Sequence, residues 1–261
     1  NLINNLNNLV IFTTILTSIF LIGLMDDFKE IDPNLKLFLL FLSIITLLFF
    51  DKSLLIQNLK FSFYKEINLG GFSFFFTTFC FLLFMNALNM FDGINLQTAS
   101  FLIILFVFLI FKNVFTGLII LILIPIINYS ILNYKNKIFL GDNGTYLLSF
   151  LISYVFIKSY NNDLIIFSDE IFICMMIPGI DMFRLFLERI FNKKNPFKPD
   201  RNHLHHILLD KFGYEKTITI LILIILSSII FLIINLNSLV IISINLVVYA
   251  FLIVKFKKLN I

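Results

Sequence analysis

Charged residues are scarce in this sequence. Only 14% of its 261 residues are charged, while 59% are hydrophobic, whereas an average soluble domain carries about 25% charged residues. This scarcity excludes an ordinary water-soluble globule. It also leaves no soluble face on which the net charge of +4 could bind nucleic acid.

Cysteine and targeting signals are also scarce. The two cysteines, Cys80 and Cys174, both lie inside apolar runs, which favours packing residues over a disulfide or a metal pair. No basic segment followed by a cleavage site opens the chain, so no signal peptide is expected. Because the first residue is Asn1 rather than Met, we expect a fragment that lacks its natural N-terminus.

Long apolar runs dominate the sequence. Runs of about 15 to 20 uncharged residues have the length needed to cross roughly 30 Å of hydrocarbon. Nine spans are predicted, at 9–25, 35–50, 71–91, 95–111, 114–133, 145–159, 170–187, 217–235 and 238–254. Helices must carry them, because lipid offers no partner for open backbone groups. We therefore expect an all-α polytopic helical bundle in a lipid bilayer, without a sheet, forming one domain over 1–261.

The basic residues are divided unevenly between the two faces of this bundle. Fifteen of the 20 Lys and Arg residues fall on one face and five on the other, so the positive-inside rule makes the first face cytoplasmic. Lys36, Arg184 and Lys258 count among the fifteen, and the C-terminus lies on the same side. Four polar clusters fall on this face as well, which predicts one cytoplasmic active site.

The first cluster is a pair of adjacent carboxylates. Asp26 and Asp27 end the first span, either as a solvated helix end or as a pair that holds a metal or a lipid headgroup. Asp32 followed by Pro33 is different, because Asp at the N-cap and Pro at the first helical position predict the start of the second helix.

The second cluster closes the third span. Asn86, Asn89 and Asp92 are spaced three residues apart, so they are expected on one helix face. Three polar side chains on a Phe-rich helix are costly in lipid and should face a polar interior. The alternative is a capped helical hairpin, in which Gly93 allows the tight reversal.

The third cluster, Gly141-Asp142-Asn143-Gly144, precedes the sixth span. Its glycines let the backbone approach a ligand closely, and the N–H groups of the following helix would face a bound phosphate. Asp142 is an oxygen ligand suited to Mg²⁺. An Asp that caps the helix after a glycine turn is an equally good interpretation.

The fourth cluster contains all three histidines. His203, His205 and His206 lie beside Lys198 and Arg201 in the longest cytoplasmic segment. Two adjacent His side chains cannot easily reach one metal, so a tetrahedral zinc site is disfavoured. A phosphate-binding and proton-handling cluster is favoured, and a basic loop that touches anionic lipid is the alternative.

In order and in sidedness, the four blocks resemble the bacterial polyprenyl-phosphate N-acetylhexosamine-1-phosphate transferases, the superfamily also classed as glycosyltransferase family 4. The matching pieces are the Asp26-Asp27 pair, the NxxNxxDG stretch over 86–93, the FLGDNG stretch over 139–144, and the HxHH stretch over 203–206 preceded by PFKPDRN. The HLHH sequence after an Arg is more similar to the GlcNAc-1-phosphate branch than to the peptidoglycan translocase branch.

The resemblance implies an Mg²⁺-dependent enzyme, with Mn²⁺ as an acceptable replacement. It would transfer a sugar-1-phosphate, for example GlcNAc-1-phosphate, from a UDP-sugar to undecaprenyl phosphate and release UMP, in cell-envelope glycan biosynthesis. The implied location is the bacterial inner membrane, and a homodimer is compatible with the resemblance. Family members begin with about two more spans than this chain.

The resemblance also implies three groups of site residues. The implied catalytic residues are Asp26, Asp27, Asp92, His203, His205 and His206. The implied substrate-binding residues are Asn86, Asn95, Asn133 and Arg201, and the implied metal ligands are Asn89 and Asp142. In this scheme Asp26 and Asp27 serve the lipid phosphate, and Asn133 lies near the nucleotide.

The chain departs from the family pattern at one place. The family usually reads DGxDGL, whereas here Asn95 replaces the second Asp and Leu96-Gln97 stand where Gly-Leu is expected. The resemblance associates that Asp with uracil recognition. Asn keeps an acceptor and adds donors, so hydrogen bonding to a base can survive while the charge is lost.

Three other functions remain open at this point. An intramembrane prenyltransferase would carry paired DxxxD-type blocks, which are missing. A transporter would carry ionisable residues near mid-membrane and two repeated halves, whereas the acids of the clusters lie at span ends. An inactive fragment of the transferase family would explain the two absent spans.

Overall fold

Helices form nearly all of the chain. The computed structural model describes residues 2–196 and 200–257, and of residues 2–6 the backbone alone. Within these ranges the helices are α1 Leu2–Phe28, α2 Pro33–Phe50, α3 Ser73–Phe91, α4 Gln97–Phe111, α5 Thr116–Tyr134, α6 Gly141–Asn161, α7 Ser168–Phe191, α8 Leu204–Phe212, α9 Tyr214–Ile233 and α10 Ser238–Phe256. The all-α class is therefore confirmed. Phe197, Lys198 and Pro199 of the predicted basic segment, and Lys258, lie outside the described residues.

Nine of these helices each overlap one predicted span, and α8 is an additional short helix. Six of the described helices, α1, α2, α3, α5, α9 and α10, are long and apolar enough to cross a membrane. α4 is apolar but has only 15 residues, and α6 and α7 carry more polar residues along their length. The chain is thus a polytopic membrane protein, while the count of nine spans stays a prediction.

Two local features bear on the sequence predictions. Asp32 is the N-cap of α2, where its carboxylate accepts the backbone N–H groups of Asn34 and Leu35, as predicted. The expectation that no sheet forms is wrong in detail, because strand β1 (Asn58–Leu59) pairs antiparallel with β2 (Ile67–Asn68). These two-residue strands lie in the segment between α2 and α3, outside the predicted spans.

The chain divides into two compact units. Unit 1 comprises residues 1–60, 66–89 and 140–166, and unit 2 comprises 61–65, 90–139 and 167–261. The single functional domain predicted for 1–261 stays a prediction.

In unit 1, α1 packs along α6 and against α2. The ring of Phe150 in α6 lies 5.8 Å from that of Phe12 in α1 and 5.8 Å from that of Phe81 in α3. α1 approaches α6 closely at Gly23, where an added Cβ would lie 2.4 Å from the Cα of Asn143. Glycine therefore sets the spacing of the two helices beside the Asp26-Asp27 pair.

In unit 2, α4 packs against α5 and α9, and α8 packs against α9 and α10. Leu204 and Leu208 of α8 join Leu221 of α9 and Tyr249 and Leu252 of α10 in one buried cluster. This packing holds the start of α8, and with it the histidines, against two helices. Cys80 of unit 1 is a half-buried free cysteine, and Cys174 of unit 2 is a buried one.

The contact at Gly23 leads to a stability prediction. Gly23→Ala must push α1 away from α6, and overpacking of this kind costs about 1–3 kcal/mol. We expect a lower midpoint of thermal unfolding for the detergent-purified protein. The matched control is Gly179→Ala in α7, where nothing lies within 4 Å of an added Cβ and alanine should favour the helix by about 0.5–1 kcal/mol. Equal midpoints for the two variants would contradict the spacing argument.

Candidate functional site

A lysine lies between two carboxylates in unit 1. The Nζ of Lys36 is 2.6 Å from Oδ2 of Asp26 and 2.6 Å from Oδ2 of Asp142. Asp26 ends α1, Lys36 lies in the first turn of α2, and Asp142 lies in the first turn of α6. We call these three residues the Lys36 cluster. It joins the ends of three helices through one cation.

Asp27 has a separate role beside this cluster. Its carboxylate accepts hydrogen bonds from the backbone N–H groups of Asp142 at 2.8 Å and Asn143 at 3.2 Å. The first N–H groups of a helix have no partner within that helix. Asp27 of α1 therefore caps α6 from outside. Asp142 lies inside the first turn of α6, whose N-cap is Leu140, so the interpretation that Asp142 caps the helix is wrong.

Gly141 makes this cap geometrically feasible. It has φ +68°, in the left-handed region, and an added Cβ would lie 2.7 Å from Oδ2 of Asp27. A side chain here would be strained and would collide with the capping carboxylate. The glycine that the sequence suggested for close approach of a ligand thus accommodates an acid of the chain itself.

The asparagines of α3 separate into two environments. Asn89 donates from Nδ2 to the Thr145 hydroxyl at 2.9 Å, next to the start of α6. Asn86 donates to the Leu82 carbonyl of its own helix. Asp92 does not continue their row, because α3 ends at Phe91; its expected position on the same helix face is wrong.

The donor atoms of unit 1 fit a hard cation. Two carboxylate oxygens, from Asp26 and Asp142, converge on a single positive group, and Asn89 is linked to the same helix start through Thr145. Carboxylate and amide oxygens are the ligands that Mg²⁺ takes in proteins. The predicted pair Asn89 and Asp142 is therefore compatible with a metal site, with Asp26 as a further oxygen donor.

A pocket of mixed polar and aromatic lining lies beside the start of α4 in unit 2. It has a volume of about 320 Å³ and is lined by Ile94, Asn95, Tyr134, Asn136 and Tyr214. The Nδ2 of Asn95 donates to Oδ1 of Asn136, and the Tyr214 hydroxyl donates to the Asn95 carbonyl. We call this the Asn95 pocket.

Asn133 supports the Asn95 pocket from behind. Its side chain is buried, with 3% of the residue exposed. Oδ1 accepts the Leu96 N–H at 2.7 Å, and Nδ2 donates to Oδ1 of Asn95 and to the Ile138 carbonyl. Leu96 itself has φ +64°, a conformation that costs a side-chain-bearing residue roughly 1–2 kcal/mol. Asn133 therefore fixes a strained turn next to Asn95.

Asp181 anchors the histidine segment of unit 2. The Nδ1 of His203 lies 2.9 Å from Oδ2 of Asp181, and Oδ1 of Asp181 accepts from the Leu204 N–H, the Tyr249 hydroxyl and Arg184. The side chain of Asp181 is only 4% exposed. Four donors from α7, α8 and α10 thus compensate one buried charge.

His205 lies flat against a glycine. An added Cβ on Gly93 would lie 1.9 Å from Nε2 of His205, so Gly93 is required by this close contact rather than by a positive φ. Burial, followed by the nearby charges of His206 and His203, lowers the pKa of His205 to about 3, so its ring is neutral near pH 7. Burial and His203 also lower the pKa of His206.

Asp181, His203 and His205 are close enough to suggest a metal site, since one potential ligand atom of each lies within 4.8 Å of the others. The bonds that these three side chains already make argue against a metal there. Both carboxylate oxygens of Asp181 already accept hydrogen bonds, and the rings of His203 and His205 are stacked with an interplanar angle of 12°. A metal would have to displace the bonds that hold α8, so this group fits a structural role better.

Three residues of these clusters were missed by sequence reasoning. Lys36 and Arg184 were counted only as positive charges on one face, and Asp181 only as part of a span. The sequence did contain a signal for them, because an ionisable side chain inside an apolar helix is costly without a partner. Arg201, predicted to bind substrate, is exposed.

The family model for glycosyl transferase family 4 matches residues 9–160, more than half of the chain. The match covers the Asp26-Asp27 pair and the blocks over 86–93 and 139–144. The histidine block over 203–206 lies beyond it.

The relatives carry one name, undecaprenyl-phosphate alpha-N-acetylglucosaminyl 1-phosphate transferase. The protein of Escherichia coli (strain K12) is 26% identical over 201 residues, covering 72% of this chain and 54% of that protein. The protein of Thermotoga maritima is 34% identical over 86 residues, which cover 33% of this chain and 28% of that protein. The protein of Haemophilus influenzae is 30% identical over 95 residues, which cover 34% of this chain and 27% of that protein. The chain thus spans about half the length of the Escherichia coli relative.

The Asp181 network leads to a stability prediction. Asp181→Ala leaves His203 and Arg184 without their buried carboxylate, and breaking such a pair costs about 3–5 kcal/mol. We expect a large fall in the thermal unfolding midpoint in detergent. The control is Asp163→Asn, since Asp163 is 68% exposed and pairs with Lys60 and Asn also tolerates its φ of +55°, so the midpoint should hardly move. Similar losses in both variants would show that Asp181 is not an anchor.

Proposed function

The chain belongs to glycosyl transferase family 4, and on that basis we propose that it transfers a sugar-1-phosphate from a UDP-sugar to undecaprenyl phosphate. The products are a lipid-linked sugar diphosphate and UMP. The sugar is an N-acetylhexosamine, with GlcNAc as the first candidate, since the matched relatives are named for N-acetylglucosaminyl 1-phosphate transfer.

The observation that carries the proposal is the Lys36 cluster. Asp26 and Asp142 direct carboxylate oxygens to one cationic position, and transfer between two anionic partners requires positive charge near the phosphates. We propose that Asp142, Asn89 and Asp26 hold Mg²⁺ or Mn²⁺, which when bound neutralises charge on the diphosphate. Lys36 would then contact phosphate as a second positive group.

The Asn95 pocket supports a nucleotide-binding role. Its volume of about 320 Å³ is at the lower end of the range for small-molecule sites. Asn95 and Asn136 offer amide donors and acceptors, and Tyr134 and Tyr214 offer aromatic faces. These are the groups that hydrogen-bond and stack on a base. Asn133 contributes by holding Asn95 in place.

The chemistry requires little proton transfer. A phosphate monoester has a second pKa near 6 and is already mainly dianionic at pH 7, so the acceptor needs alignment more than a base. Asp27 serves as the cap of α6, which suits a positioning role better than proton abstraction. We propose that the phosphate-binding part of the active site is lined by His203, His205, His206 and Arg201.

The remaining site assignments rest on the sequence. We propose that Asp92 and Asn86 belong to the same active site, that this site lies on the cytoplasmic face of a bacterial inner membrane, and that the C-terminus lies there too. The uneven distribution of Lys and Arg supports this orientation. A homodimer stays a prediction.

The direct test is a radiolabel transfer assay. Membranes containing the chain would be given several UDP-N-acetylhexosamines in turn, with undecaprenyl phosphate and Mg²⁺. We expect label in a lipid-soluble product for at least one sugar, together with release of UMP. Absence of labelled lipid with every sugar, for protein shown to be folded, would reject the proposed activity of this chain.

A variant of Asp142 tests the metal assignment. Asp142→Asn removes a charged ligand while Lys36 keeps Asp26 as its partner, so the protein should still insert and fold. We expect transfer to fall by about 10²-fold or more and binding of Mn²⁺, followed by electron paramagnetic resonance, to weaken. The control Asp163→Asn, at an exposed ion pair, should change neither. Wild-type activity of Asp142→Asn at limiting Mg²⁺ would refute the assignment.

A variant of Asn95 tests the base-reading role. Asn95→Asp keeps the acceptor for Asn133 but loses the Nδ2 donor that faces Asn136. We expect KM for UDP-GlcNAc to change about fivefold with kcat constant, since one hydrogen bond contributes about 1 kcal/mol of uniform binding.

Asn237→Asp is the matched control for Asn95→Asp. Asn237 only caps α10, and Asp caps equally well, so the kinetics should not move. If Asn95→Asp also left both KM and kcat unchanged, Asn95 would be removed from the site.

A further inference from the structure

Gln97 is a buried amide in contact with a histidine. It is the first residue of α4, and its Nε2 lies 3.2 Å from Nδ1 of His205. Each of the two residues is 1% exposed. Because no solvent reaches the pair, the hydrogen bond between them decides which ring nitrogen carries the proton.

The direction of this bond follows from the chemistry of the amide. An amide NH₂ group can donate but cannot accept, so the nitrogen that faces it must present a lone pair. Nδ1 of His205 is therefore unprotonated, and a neutral ring carries its proton on Nε2. The low pKa of His205, about 3, agrees with a neutral ring.

We propose that Gln97 is a positioning residue that fixes His205 as its Nε2–H tautomer, so that His205 acts as a hydrogen-bond donor and not as a base. The Nε2 atom is buried and has no hydrogen-bond partner among the residues that the structure describes. It lies against Gly93, at the turn that follows Asp92.

His203 provides an internal contrast. Its Nδ1 faces the carboxylate of Asp181 at 2.9 Å, which can only accept, so this ring carries a proton on Nδ1. The two rings are stacked with centroids 5.2 Å apart. Nδ1 is therefore protonated in His203, where it faces an acid, and unprotonated in His205, where it faces an amide NH₂ group.

The local pattern of buried polar atoms points to a ligand. Besides Nε2 of His205, Oε1 of Gln97 and Nδ1 of His206 are buried without a hydrogen-bond partner among the described residues, and both residues contact His205. A buried donor or acceptor left unpaired costs about 1–3 kcal/mol. Donors and acceptors gathered at one place are suited to a polar group, and a donor nitrogen suits an anionic oxygen. If the proposed function holds, that oxygen belongs to a phosphate.

The tautomer can be read directly by ¹⁵N NMR of histidine-labelled protein in detergent. The chain contains only three histidines, so His203→Gln and His206→Gln suffice to assign the signals. We expect a pyrrole-type shift at Nε2 of His205 and a pyridine-type shift at Nδ1. The reverse pattern in the wild-type protein would overturn the proposal without any variant of Gln97.

Two substitutions test the cause. In Gln97→Glu the carboxylate can only accept, so the proton of His205 should appear on Nδ1. In Gln97→Met the side chain keeps its length but offers no hydrogen bond, so the preference for one tautomer should be lost. An unchanged His205 spectrum in either variant would overturn the role of Gln97, and Gln97→Met decides the matter where Gln97→Glu fails to fold.

Activity gives a second readout that rests on the proposed function. We expect Gln97→Glu to lower kcat about 10²-fold, the typical loss of one placed donor, with KM within about twofold. Ser100→Ala, which removes hydroxyl bonds to the carbonyls of Leu96 and Gln97, is the control and should change neither. Wild-type protein that transfers no sugar would reject the proposed function, while the spectra would still decide the tautomer.

Discussion

The ammonium of Lys36, held between Asp26 and Asp142, is the interaction on which unit 1 depends. It links α1, α2 and α6 at their ends, and the side chains of Lys36 and Asp26 are only 17% and 10% exposed. A charge placed there is stable only if another charge compensates it. The cluster therefore fixes the positions of the helix ends and gathers oxygen ligands at the same time. Under the proposed function, a metal held by Asp26 and Asp142 would leave Lys36 available to a phosphate.

Unit 2 also contains a buried charge that needs compensation, but there the charge is a carboxylate that holds other residues in place. Asp181 lies in the middle of α7, a position that the transporter alternative would favour. Its oxygens accept from four groups on three helices, which leaves it fixed rather than available to a passing ion. The buried charge is thus committed to holding His203 and the start of α8. An active site that depends on histidine orientation benefits from such an anchor.

The sequence predicted features with a local cause and missed those with a long-range cause. Apolar runs identified the helices, and Asp32 before Pro33 identified a cap, because each signal lies within one turn of the structure it specifies. The partners of Lys36 and Asp181 lie up to about a hundred residues away along the chain. No spacing rule reaches that far. The cost of an unpaired charge indicates that partners exist, but only the fold identifies them.

The start of α6 shows how such a long-range contact changes a functional interpretation. The sequence suggested that free N–H groups there would bind phosphate, yet Asp27 already accepts two of them. An incoming phosphate would have to displace a carboxylate held by the close approach at Gly23 and Gly141. Under the proposed function, positive charge for the phosphate would then come from side chains or a metal rather than from this helix terminus. The Lys36 cluster lies directly beside it, which explains why the acids of α1 divide their work: Asp27 satisfies the helix, and Asp26 remains with the cation.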